Sequence, residues 1–176
     1  MTPMKTHTWW SWLAVGTLFG LSLGAVQANP VAGNPILKLL AGDWTGEGEL
    51  VDTQGNKQPV KETWSGKFTE TGNFIMSGQR TLDQQTHQFA WEFYPNGELI
   101  EGQMKISEPQ LDLRFEVAID ETGRSVTMKI PTNSSGALMT IVNTVSEDGK
   151  SLSGTVEIKD ESGKVTSSGK VEHRKS

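Results

Sequence analysis

The chain has 176 residues, enough for one domain plus a processed segment, and 35% of them are hydrophobic. It contains no Cys, which excludes disulfides, thiol catalysis, Cys-ligated metals and attachment through a lipoprotein cysteine. The net charge is −5, and an acidic balance argues against nucleic acid, whose binding needs basic patches.

Residues 1–28 have the pattern of an export signal. Lys5 and His7 give a weakly basic start, Trp9 to Val26 is a nearly charge-free apolar run, and Val26-Gln27-Ala28 offers small residues where a signal peptidase reads. Cleavage after Ala28 would release a periplasmic or secreted protein with no stable membrane insertion. An uncleaved anchor is the alternative, because the run is close to spanning length. Without Lys5, 15 of the 16 basic residues remain against 21 acidic ones, a net charge of −6.

Residues 29–33 read as a short linker. Asn34 can cap a helix with Pro35 at its first position. Ile36, Leu39 and Leu40 share one face, and Gly42 is a natural stop.

After Gly42 the apolar residues alternate with period two. The inward phase runs Trp44, Gly46, Gly48, Leu50; then Val60, Trp64, Gly66, Phe68; then Phe74, Met76, Gly78, Leu82; then Phe89, Trp91, Phe93. It continues through Ile100, Met104, Ile106, through Leu111 to Ile119, and through Val126, Met128, Ile130. The eighth strand allows two phases, Leu138-Thr140-Val142 or Met139-Ile141-Val145, and the last two carry Leu152, Val156, Ile158 and Val165, Gly169, Val171. Turn signals such as Gln54-Gly55-Asn56, Thr71-Gly72-Asn73, Pro95-Asn96-Gly97, Asn133-Ser134-Ser135-Gly136 and Asp148-Gly149 separate them. Short connections make neighbours antiparallel. About ten strands with one apolar face either close or leave two edges. The pattern predicts an all-β domain over residues 34–176: a closed antiparallel up-and-down barrel with one short N-terminal helix, its first strand, Asp43 to Val51, pairing with its last, Val165 to Arg174. A two-sheet sandwich is the alternative.

The segment Leu39-Leu40-Ala41-Gly42-Asp43-Trp44-Thr45-Gly46-Glu47-Gly48 resembles the opening of lipocalin-like (calycin) barrels. Its G-x-W-x-G-x-G form is similar to that of nitrobindin-like haem-binding barrels and of small secreted bacterial barrels. The resemblance implies that Trp44, with Gly46 and Gly48, is structural, that Trp44 plugs the closed end under a basic residue of the last strand (Lys170 or Arg174), and that the interior can hold a ligand. It also implies a haem-ligating His near the C-terminus. The nearest match, His173, sits in the polar run Glu172-His173-Arg174-Lys175, so haem is not carried over as a cofactor.

Polar residues interrupt the inward phase. Glu62 alternates with Val60 and Trp64, Arg80 with Gly78 and Leu82, and His87 with Phe89 and Trp91. With Thr71-Gly72-Asn73 as hairpin loop, Trp64 faces Arg80 and Glu62 lies on the diagonal. With Asp83 to Thr86 as the next loop, Leu82 faces His87 and Arg80 faces Phe89. Glu62, Trp64, Arg80, His87, Phe89 and Trp91 are thus the candidate ligand-binding residues. Arg80 either receives an anionic head group or pairs with Glu62 while Trp64 stacks on its guanidinium. His87 reads as a hydrogen-bonded wall residue. Two histidines beyond the signal segment cannot form a three-His metal site, and no catalytic motif is visible. The expectation is a non-enzymatic barrel for a small apolar or amphipathic ligand. A structural or protein-interaction module filled by its own side chains, and a haem barrel, are the alternatives.

Overall fold

The computed structural model describes residues 29–106, 111–132 and 136–176. The expected export signal and the expected Asn133-Ser134-Ser135 turn lie outside the described residues. Ten strands follow one short helix: α1 (Pro35–Leu40), β1 (Gly42–Asp52), β2 (Lys57–Phe68), β3 (Phe74–Leu82), β4 (Gln85–Asn96), β5 (Leu99–Ile106), β6 (Leu111–Asp120), β7 (Ser125–Pro131), β8 (Leu138–Val145), β9 (Ser151–Lys159) and β10 (Val165–Lys175). Each strand pairs antiparallel with its sequence neighbour, and β1 pairs with β10, so the sheet is a closed up-and-down barrel. The sandwich alternative is thereby excluded. Among the described residues no helix is long and apolar enough to cross a membrane.

Local chemistry sets the helix. The Asn34 side chain accepts from the backbone N–H groups of Ile36 and Leu37, and Pro35 stands at the start, where its missing N–H matters least. Ala41 turns the chain into extended backbone, and Gly42, at φ 120°, begins β1. The helix lies across one end of the barrel with Ile36, Leu37 and Leu40 buried. Val31, ahead of it, is fully buried in the same core.

Beneath α1 the interior is packed solid. Trp44 stacks on Trp64 with ring centroids 5.4 Å apart, and its indole Nε1 donates to the Leu40 carbonyl at 2.9 Å. Phe74, Phe93 and Phe115 form a chain of tilted and edge contacts. Lys175 closes the plug: its Nζ lies 5.3 Å from the Trp44 ring centre and donates to the Leu39 carbonyl. The basic residue over Trp44 is therefore Lys175, which shares the inward parity of Val171 and His173. Lys170 and Arg174 have the opposite parity and are exposed. The eighth strand resolves to the phase Met139, Ile141, Val145, with Asn143 buried between them.

Candidate functional site

The hairpins place the inner polar residues differently from the spacing argument. Between β2 and β3 the loop is five residues long, Thr69 to Asn73, closed by Thr69 N to Asn73 O and Gly72 N to Thr69 O. The register shifts by two: Glu62 faces Arg80 directly, and Trp64 faces Gly78. Between β3 and β4 a two-residue turn, Asp83 and Gln84, pairs Leu82 with Gln85, Arg80 with His87 and Gly78 with Phe89. Asp83 takes φ 54°, which its short polar side chain tolerates. A tighter turn and a wider loop than the spacing suggested account for both corrections. The inward parity of Glu62, Arg80 and His87 is as expected.

The barrel carries this belt further. Gly46 faces Glu62 on one side and His173 on the other. His173, Gly46, Glu62, Arg80 and His87 thus occupy five successive strands at one level. His173 is 4% exposed and is a site residue that the polar look of its local sequence hides. Its signal was parity: Val171 is inward, so the residue two further on is inward as well.

Glu62 is the hub. Its Oε1 accepts from Arg80 Nε, and its Oε2 lies 2.9 Å from His173 Nε2. The carboxylate is 8% exposed. Burial pushes its pKa up, but the His173 hydrogen bond and the Arg80 charge outweigh that and hold it below its ordinary value. An ionised carboxylate only accepts, so the His173 ring donates to it through Nε2. Gly46 makes this bond across β1 feasible. A Cβ there would collide with the His173 ring, lying 2.6 Å from Nε2. At Gly48 a Cβ would run into the Lys170 carbonyl, so both glycines let β1 and β10 approach.

Arg80 is held between its pair and two rings. Its guanidinium carbon lies 5.6 Å from the Phe89 ring centre and 5.8 Å from that of Trp91. The Trp64 ring stacks on Trp44 and meets His173 edge-on, so the expected stacking of Trp64 on Arg80 gives way to Phe89 and Trp91. Among the described residues the hydrogen-bond partner of the guanidinium is Glu62, through Nε. A cavity of about 30 Å³ adjoins the belt, lined by Glu62, Arg80, Trp91, Asn143 and His173 with apolar neighbours. Two of these residues each keep a buried nitrogen, Trp91 Nε1 and His173 Nδ1, without a hydrogen-bond partner among the described residues. A haem does not fit here: the space beside His173 is far smaller than a macrocycle and Nε2 is already engaged. A broader depression of about 910 Å³ crosses the outer wall at Thr63, Ser77, Gln79, Gln88 and Lys105, on the opposite parity from the belt.

Towards the rim away from α1 the inward wall stays apolar but is incompletely covered. Leu82, Ile106, Leu113, Met139, Val156 and Ile158 are half-buried. The belt therefore sits where the filled half of the barrel meets the open half.

No protein-family model matches the chain, and no curated protein matches it in sequence. Solved structures share the fold, two of them as follows. A protein of unknown function of the DUF3598 family from Nostoc punctiforme PCC 73102 matches at 12% identity and a TM-score of 0.54, over 80% of this chain and 49% of that one. The chain thus spans about half the length of that protein. The S-type phycobiliprotein lyase CPES from Guillardia theta matches at 11% identity and a TM-score of 0.56, over 80% of this chain and 90% of that one. At these identities the likeness is one of fold, the closed antiparallel barrel.

Proposed function

We propose that the protein is an exported, non-enzymatic barrel that binds a small amphipathic molecule with an acidic head group through the rim opposite α1. One observation carries the reading: an inward Arg80 stands at the boundary between a sealed core and a half-covered apolar wall. The head group meets Arg80, and the body lies against Phe89, Leu82, Ile106 and Leu113. Polar contacts of this kind orient a ligand whose affinity comes mostly from apolar surface. A phycobiliprotein lyase built on the same barrel supports a role in handling another molecule rather than scaffolding alone.

The test is calorimetric titration of residues 29–176 with dodecanoate and with 1-dodecanol. The acid should bind at least roughly tenfold tighter, a margin expected of one charge-assisted contact. That preference should vanish in the double variant Glu62→Gln, Arg80→Met, which keeps the interior free of an unpaired charge. Equal binding of acid and alcohol, or no binding of either, overturns the reading. Export is tested by N-terminal sequencing of secreted material, which should begin at Asn29; a mature chain retaining Trp9 and Trp10 would mark an anchor instead.

A second reading has its own observation. The cavity at the belt is about 30 Å³, against the roughly 300–1,000 Å³ of preformed ligand sites. A barrel filled by its own side chains, acting as a structural or interaction module, is what remains when neither probe binds.

A further inference from the structure

Glu62 and Arg80 stand directly opposite each other, yet they share a single hydrogen bond. An Arg–carboxylate pair frequently closes with two parallel N–H···O bonds, the stronger arrangement. Here the second carboxylate oxygen is already taken. Glu62 Oε2 accepts from His173 Nε2, which reaches it across β1. A neutral and a charged imidazole can both donate from Nε2, so the contact does not turn on the charge of the ring. The path across β1 exists because position 46 is Gly: a Cβ there would lie 2.6 Å from His173 Nε2. β1 thus does without a side chain where a histidine of β10 meets a carboxylate of β2.

The consequence falls on Arg80. With Oε2 occupied, its guanidinium is anchored through Nε alone. Among the described residues its two Nη nitrogens have no hydrogen-bond partner, and neither is sealed from solvent. The Arg80 side chain is 27% exposed, against 8% for Glu62 and 4% for His173. Phe89 and Trp91 hold the guanidinium from the β4 side. A guanidinium anchored in this way presents a planar pair of donors whose spacing matches the two oxygens of a carboxylate. A hydroxyl offers that pair only one oxygen.

We propose that His173 is a positioning residue for the ligand: by taking Glu62 Oε2 it keeps Arg80 from closing on Glu62 with two bonds, and it reserves the Nη1–Nη2 edge of the guanidinium for the two oxygens of a ligand carboxylate. This rests on the acidic-ligand reading above and adds to it the atoms that meet the head group and the residue that holds them ready. His173 acts through Glu62 and does not touch the ligand.

Calorimetric titration with dodecanoate and with 1-dodecanol, on the wild type and three variants, reads the preference for acid over alcohol as a ratio of affinities. In the wild type that ratio should be at least roughly tenfold. His173→Leu removes the donor and lets Arg80 close on both oxygens of Glu62. Its ratio should fall to about twofold or less, with 1-dodecanol binding as before. His173→Gln keeps an N–H for Oε2 and should retain most of the preference. Gly46→Ala displaces the ring without removing it and should fall between them. A histidine that only stabilises the barrel would weaken acid and alcohol alike, and that result overturns the proposal. Equal loss of preference in the Leu and Gln variants overturns it too. So does an undiminished preference in His173→Leu or, should that variant not fold, in Gly46→Ala; in each of these cases the acidic-ligand reading stands. A wild type with no preference for the acid overturns that reading and this inference with it.

Discussion

At the α1 end the inward side chains Trp44, Phe74, Phe93 and Val126 are at most 1% exposed. At the opposite rim the inward positions Leu82, Ile106, Leu113 and Met139 are half-buried. The alternation that built both ends is the same; the cap is what differs. At one end a helix, a stacked indole pair and Lys175 complete the core, and hydrophobic burial there is spent on stability. At the other end apolar surface is kept partly uncovered, which stabilises the fold less and leaves area for another molecule to cover. The polar belt marks the boundary between the two.

Truncating the plug should produce the largest effect. Trp44→Ala removes a fully buried ring and the Leu40 hydrogen bond, and should lower stability by about 3–5 kcal/mol. Urea unfolding measures it, and ligand affinity in the folded fraction should stay near wild type. Lost binding at normal stability would move Trp44 into the site and dissolve the distinction between the ends. Next comes the belt. Arg80→Met leaves the buried Glu62 short of its cation, for about 3 kcal/mol, and adding Glu62→Gln should recover much of it. An unchanged single variant would show that Arg80 is held for a ligand and not by its pair.

Acid should act through the same group. The folded pKa of Glu62 lies below its ordinary 4.5, so its stabilisation is fully present above about that pH and is lost as pH falls through the lower folded value. Acid unfolding of Glu62→Gln should therefore be shallower than wild type below pH 4.5. An identical acid limb would show that Glu62 gains nothing from its partners. A smaller loss, about 1–3 kcal/mol, is expected for Gly46→Ala, whose new methyl displaces His173. Loss of the wild-type His173 imidazole signals by NMR would report it. Smallest is Leu113→Ala at the open rim. It should cost about 1 kcal/mol or less while weakening dodecanoate measurably. A large loss of stability there would mean that the rim is core after all.

Much of the barrel was legible because period-two alternation and Gly-rich turns are local signals. Closure followed from the strand count, since a long meander with one apolar face has no other way to bury it and leave no edges. The site was legible only by parity. Residues 62, 80 and 87 point inward as read, but which of them touch depends on loop length. One extra pair of residues in the Thr69–Asn73 loop replaces Trp64 with Glu62 opposite Arg80. His173 escaped because its neighbours Glu172 and Arg174 are exposed; in a strand, flanking residues describe the other face. No sequence signal announces the partnerless nitrogen atoms of Trp91 and His173, which arise from how five strands meet.

The pairing of β1 with β10 also sets the tempo of folding. Lys175 grips the carbonyl of Leu39 from 136 residues away in sequence, and Gly46 must meet His173 across the same seam. Until β10 arrives, β1 and β9 both present unpaired edges, and the Trp44 plug lacks its lid. The nine consecutive hairpins are local and can form early, but the seam that seals them is among the most distant contacts in the chain. Contacts of that range make folding slow and late to commit. A nascent chain lacking β10 is thus an open sheet, prone to pair with other sheets and easily kept unfolded, and the barrel closes only when its final strand is available.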